Sequence, residues 1–194
     1  MSHMSDFGCL TTSGDRGGAL CATHRHRLVP AALLLLLLGC LAEGCATTAP
    51  ATSESVDLVL PNGQRATLAA LRGKVVVLDV CASWASACNL NARVLDEVAL
   101  ALASEHVEVI TLLFDEGPLA RAAQRSYVEV LGVRHLVTLA GSRVLAGTSL
   151  LGSSRDVPRL VVLDTNGRVV IDEVGGIVSV TGVVERVRPL VQMR

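Results

Sequence analysis

The chain has 194 residues and a formal net charge of −1, with 17 Lys and Arg against 18 Asp and Glu. That length suits one domain with some chain to spare, and no basic cluster breaks the charge balance, so nucleic-acid binding has no support. Apolar residues make up 51% of the chain, enough for a core that does not depend on disulfide staples.

The spare length lies at the front. His24-Arg-His-Arg27 precedes an unbroken apolar run from Ala31 to Leu38. A basic flank before a short apolar core predicts a secretory signal, and the run is too short to span a bilayer, which needs about 20 apolar residues. The run ends in Leu37-Leu-Gly-Cys40, which resembles a bacterial lipobox. That resemblance implies cleavage before Cys40 and acylation of its sulfur and new amino group, giving an anchor of several acyl chains. An uncleaved signal anchor is the alternative. Cys45 is the poorer lipidation candidate because Glu43 stands just upstream. Residues 1–39 are therefore expected to be a leader, residues 40–55 a lipid anchor with a small, polar tether, and residues 56–194 the folded domain. The expected place is the bacterial cell envelope, facing the periplasm or the exterior. Cys9 and Cys21 fall in the leader, which leaves Cys81 and Cys88 for the domain.

Within the domain, Val56 to Leu60 alternates and stops at Pro61-Asn-Gly63, a turn signal. Arg65 to Leu71 predicts a short strand and a turn of helix, so the domain opens on a β-hairpin. Lys74 to Val80 is a near-continuous β-branched run, the pattern of a central strand buried on both faces. Leu90, Val94, Leu95, Val98 and Leu102 follow helical spacing through Ala85 to Ser104. Val107 to Phe114 predicts the next strand, Leu119 to Leu131 a helix ending at Gly132, and His135 to Leu139 a short strand. Ala140 to Asp156 is ambiguous, with a short helix among loops. Arg159 to Asp164 and Arg168 to Glu173 flank Thr165-Asn-Gly167 and predict a hairpin. Val180 to Met193 is a last amphipathic helix. Strand–helix alternation implies an α/β domain in which a central mixed sheet is flanked by helices.

The junction of central strand and first helix reads Val75-Val-Val-Leu-Asp-Val-Cys-Ala-Ser-Trp-Ala-Ser-Ala-Cys88. With Asn62 to Lys74 before it, Val109 to Asp115 after it and Asp156 to Arg168 beyond, it resembles the TlpA/ResA-like, membrane-anchored thiol–disulfide oxidoreductases of the thioredoxin superfamily. The resemblance implies a thioredoxin-like fold, protein or small-molecule thiols and disulfides or an extended peptide as partners, and no cofactor. It also implies a Trp-Cys-x-x-Cys site, and here the sequence departs from it. Ala85 stands where the nucleophilic cysteine is expected, Ala87 where a proline often precedes the second cysteine, and Cys81 where a large aromatic is usual.

Other positions match. Cys88 aligns with the resolving cysteine, and Asp79 with the buried acid that takes its proton in thioredoxins. Trp84 aligns with the residue that shapes the turn. Val157-Pro158 aligns with a cis-proline step whose free backbone edge pairs with an extended substrate. Each has a plainer reading. Cys88 can be a buried small hydrophobe, Asp79 a strand-end acid bonded to amides, Trp84 a packing element of the turn, and Pro158 a trans edge-strand proline. A Cys81–Cys88 disulfide needs a Cα separation of about 4.4–6.8 Å, and a strand end and a first helical turn are expected to miss it more often than not. His106 and His135 read as isolated, Asp115-Glu116 as a solvated pair, and no Cys/His spacing suggests a metal site. Two functions stay open. One is a redox protein using Cys88 alone or with Cys81, helped by Asp79. The other is a binding module or envelope scaffold holding a peptide at Trp84, Val157 and Pro158.

Overall fold

The structure, a computed structural model, describes residues 53–192. The leader, Cys9, Cys21, Cys40 and Cys45 lie outside the described residues. A 3-10 turn at Ser53–Ser55 involves three residues of the expected tether. It is held where the Ser55 hydroxyl accepts the Leu150 amide at 2.7 Å.

The elements follow in the order β1 (Asp57–Val59), β2 (Arg65–Thr67), β3 (Val75–Cys81), α1 (Ser86–Ala101), β4 (Val107–Leu113), α2 (Ala120–Leu131), β5 (Leu136–Ala140), α3 (Ser142–Leu145), β6 (Arg159–Leu163), β7 (Val169–Val174) and α4 (Val180–Gln192). A 3-10 turn at Leu68–Leu71 follows β2, as the sequence suggested. The ambiguous stretch after β5 resolves through a distant cap: Asp57 Oδ1 accepts the amides of Arg143 and Val144 at 3.0 and 3.2 Å. No local pattern near Ala140 encodes that contact.

The seven strands form one sheet in the order β2-β1-β5-β4-β3-β6-β7. β3 runs parallel to β4 over seven register pairs and antiparallel to β6 over five. Every residue of β3 is buried, which is why its sequence is a continuous apolar run rather than an alternation. Alternation still sorts its side chains. Val76, Leu78 and Val80 join Val56, Leu58, Ile110, Leu112 and Leu163 on one face. Val75 and Val77 pack with Leu95, Val98 and Leu102 of the α1 segment and Val183 and Val187 of α4 on the other. The same odd-numbered face continues upward into Asp79 and Cys81. The two hairpin turns close on glycines in the left-handed region, Gly63 at φ 86° and Gly167 at φ 76°, which any side chain would strain.

Candidate functional site

The end of β3 and the start of α1 meet at one point. Cys81 is the last residue of β3, one beyond the strand expected from sequence, and Cys88 is the third residue of α1. The chain reverses tightly between them, with the Ala85 amide donating to Ala82 O at 3.0 Å and the Cys88 amide to Ala85 O at 3.1 Å. This brings the two Cα atoms to 5.7 Å, and the sulfurs are joined in a disulfide. The expectation that the pair would more often stand too far apart is thereby corrected. A strand that ends directly in a four-residue turn delivers both Cβ vectors to the same side. Both cysteines are fully buried, in a cluster with Ala92, Leu113, Tyr127 and Val137.

Asp79 lies two residues before Cys81 and so shares its face of the strand. It is 0% exposed. Its Oδ2 stands 3.0 Å from Cys81 Sγ, and its Oδ1 has no hydrogen-bond partner. Burial pushes its pKa up to about 7, opposed only in part by the Asn91 amide. A sulfur in a disulfide carries no proton and cannot donate here; the protonated form of the carboxyl can donate a weak hydrogen bond to it. The plainer reading of Asp79, an acid bonded to backbone amides, is not what the structure shows. The geometry is that of a buried acid against a disulfide sulfur, with proton affinity in the neutral range.

Several supports went unread in the sequence. Asn91, buried in α1, accepts the Val178 amide at 3.0 Å and thereby ties the segment after β7 to the helix beside Asp79. The Tyr127 hydroxyl donates to Cys88 O at 3.0 Å, and burial, then the charges of Asp79 and Asp115, hold its pKa above the usual tyrosine value. Asp115 is not a solvated loop acid: it accepts the Ser83 amide at 2.9 Å and the Ser83 hydroxyl at 2.5 Å, pinning the turn. Glu116 pairs with Arg155, whose guanidinium lies 5.6 Å from the Phe114 ring centroid. Arg155 thus braces the segment leading to Val157. A polar residue's partners across the fold leave no trace in local sequence.

Val157–Pro158 is cis, as the resemblance implied. Val157 and Ala85 both pack against the cysteine cluster, so the cis-proline loop and the turn flank the disulfide together. Trp84 differs from its expected packing role. It is 77% exposed, because Ser83 faces Asp115 and Ala85 turns inward, leaving Trp84 the outward position. His135 is likewise not isolated. Its ring is buried, its Nδ1 lies 2.7 Å from Asp96 Oδ1, and its Nε2 lies 2.8 Å from Thr111 Oγ1. Thr111 is the register neighbour of Asp79 on β4.

Comparison with known proteins bears on the fold. No curated protein matches the chain in sequence. The fold is similar to the thioredoxin domain of a thiol-disulfide oxidoreductase from Bacteroides vulgatus, at 16% identity and a TM-score of 0.60, covering 73% of this chain and 96% of that one. It is similar to a thiol:disulfide interchange protein of the thioredoxin family from Chlorobium tepidum, at 21% identity and a TM-score of 0.60, covering 75% and 99%. It is also similar to an exposed lipoprotein thioredoxin from Streptococcus pneumoniae, at 22% identity and a TM-score of 0.55, covering 69% and 97%. These likenesses establish a thioredoxin-like fold. Residues 46–184 match the Redoxin family over most of the chain, and the protein with its Cys81–Cys88 disulfide at the turn therefore belongs to the Redoxin family.

Proposed function

We propose that this chain is an exported, lipid-anchored thiol–disulfide exchange protein in which the Cys81–Cys88 pair replaces the usual dithiol of the turn. The observation that carries this reading is the disulfide itself, set at the strand-to-helix junction with Asp79 Oδ2 3.0 Å from one of its sulfurs. A merely structural staple has no use for a buried acid with one oxygen unpartnered at its side, because such a group costs stability. A dithiol that cycles needs a proton acceptor and donor near neutral pH. The partners are thiols and disulfides of proteins or small molecules. Export and anchoring rest on the basic flank, the apolar run and Leu37-Leu-Gly-Cys40.

The test is thiol counting by intact mass on the native full-length protein, alkylated before and after treatment with dithiothreitol, with Cys81→Ala and Cys88→Ala as controls. Exchange predicts no alkylation of either cysteine before treatment and two added labels after it, without unfolding. A bond that resists dithiothreitol until the protein is denatured refutes exchange. It would leave the second reading, a binding module, which the burial of both sulfurs and the exposure of Trp84 favour. Anchoring is tested separately: Cys40→Ala should move the protein from the membrane to the soluble fraction.

A further inference from the structure

We propose that Cys88 is the sulfur that exchanges with substrate and that Cys81, with Asp79 as its proton carrier, is the sulfur that resolves. The assignment rests on the exchange reading above and inverts the family's order, in which the residue at Cys88's position resolves and the buried acid serves it.

Three observations carry it. Asp79 Oδ2 touches Cys81 Sγ at 3.0 Å, while among the described residues no carboxylate bonds the Cys88 sulfur. The acid therefore serves Cys81. Cys88 lies in the first turn of α1, whose N-cap, Ala85, offers no side-chain oxygen to the helix amides. Uncapped amides and the helix dipole favour a thiolate there. Finally, an incoming sulfur must line up with the bond it breaks. Cys81 ends β3, which is buried along its whole length. Cys88 follows a turn in which Ala85 is only partly buried and Trp84 is exposed, so the cover over that side of the bond is the thinner one.

The steps balance as follows. In the reduced protein the Cys88 thiolate attacks a substrate disulfide R–S–S–R′. A Cys88–S–S–R bond forms, and R′–S⁻ leaves and takes a proton from solvent. Cys81 then passes its proton to the Asp79 carboxylate, and its thiolate attacks Cys88 Sγ. The Cys81–Cys88 bond forms, and R–S⁻ leaves and takes a proton from solvent. The protein dithiol is oxidised by two electrons and the substrate disulfide is reduced to two thiols. The reverse sequence, in which protonated Asp79 gives its proton to Cys81 as that sulfur leaves, oxidises a substrate dithiol. The groups facing Asp79 from its neighbours are Tyr127 of α2, whose phenol feels its charge, Asn91 of α1, and Thr111 of β4, which leads to His135.

The experiment presents oxidised glutathione to the reduced full-length protein and its variants, and follows mixed disulfides by intact mass. Cys81→Ala should accumulate a glutathione adduct on Cys88 at least tenfold faster than Cys88→Ala accumulates one on Cys81. Cys81→Ser repeats the measurement if the alanine variant does not fold. With both cysteines present, Asp79→Asn should slow closure of the Cys81–Cys88 bond from the adduct tenfold or more and flatten its pH profile near 7. Equal adduct rates, a faster adduct on Cys81, or closure unaffected by Asp79→Asn overturns the assignment while leaving exchange intact. Absence of any adduct on a reduced, folded protein overturns exchange and the assignment together.

Discussion

Asp79 is the buried acid beside the Cys81–Cys88 disulfide. Its carboxyl is fully buried, half unpaired, and holds its proton up to a pH of about 7. In the unfolded chain the same group titrates near 3.8. Between those values the folded state binds the extra proton, so this group's contribution to stability is greatest below about pH 4, is lost as pH rises, and levels off above about 7. The span corresponds to about 4–5 kcal/mol at most, taking about 1.4 kcal/mol for each pH unit. Asp79→Asn removes the ionisable group in nearly the same shape. It should raise the urea midpoint at pH 8 by the equivalent of about 2–4 kcal/mol and remove most of the loss between pH 4 and 7. Chemical denaturation of both proteins across that range measures this, and parallel profiles would show that Asp79 ionises freely in the fold.

At the scale of elements, the turn between β3 and α1 is positioned from outside. Ser83 is held by Asp115, which arrives from beyond β4, and Arg155 links the next residue, Glu116, to the approach to cis-Pro158. Asp115→Ala deletes two hydrogen bonds to Ser83 and should cost about 1–3 kcal/mol. Trp84 is the only tryptophan and sits next to Ser83, so its emission reports the turn directly. A shifted or broadened emission in Asp115→Ala, with unchanged far-ultraviolet circular dichroism, is the expected outcome. A second prediction concerns the start of β5, where Asp96 accepts the Arg134 and His135 amides and the His135 ring. Burial alone would raise the Asp96 pKa, but these bonds outweigh it and hold it below the ordinary value. Its stabilisation is therefore present above the unfolded pKa and lost as pH falls through the folded one. Asp96→Ala should lower thermal stability at pH 7 and weaken the acid branch of the stability profile, as calorimetry between pH 3 and 7 would show.

For the whole molecule, the Cys81–Cys88 bond closes a short loop, with a sequence separation of 7. Loop-closure entropy for so short a loop amounts to about 2.5 kcal/mol, a modest share of the 5–15 kcal/mol typical of a domain. The central sheet, with β3 paired on both sides and covered on both faces, carries the rest. Reduction should accordingly lower the melting temperature by several degrees without abolishing the fold. Melting curves in oxidised and reduced buffer decide this, and unfolding on reduction would make the bond a staple. Such tolerance is what a protein that passes through a dithiol state needs.

The α/β order, both hairpin turns, the buried central strand and α1 were legible because each rests on a local rule. Continuous β-branched residues mark a strand covered on both faces, apolar spacing of three and four marks a helix face, and Asn-Gly marks a turn that needs positive φ. The resemblance at Val75 to Cys88 pointed to the candidate site and named Asp79 and Cys88 by alignment, and the Asp156 to Arg168 block named cis-Pro158. The sequence alone thus determined the elements, their order and the neighbourhood of the chemistry. Only the tertiary structure decided that Cys81 and Cys88 bond, that Asp79 lies against Cys81, that Trp84 faces solvent, and that Asn91, Asp115 and Tyr127 hold the site. Those facts depend on angles and distances between elements far apart in the chain, and a periodicity within one element carries no information about them.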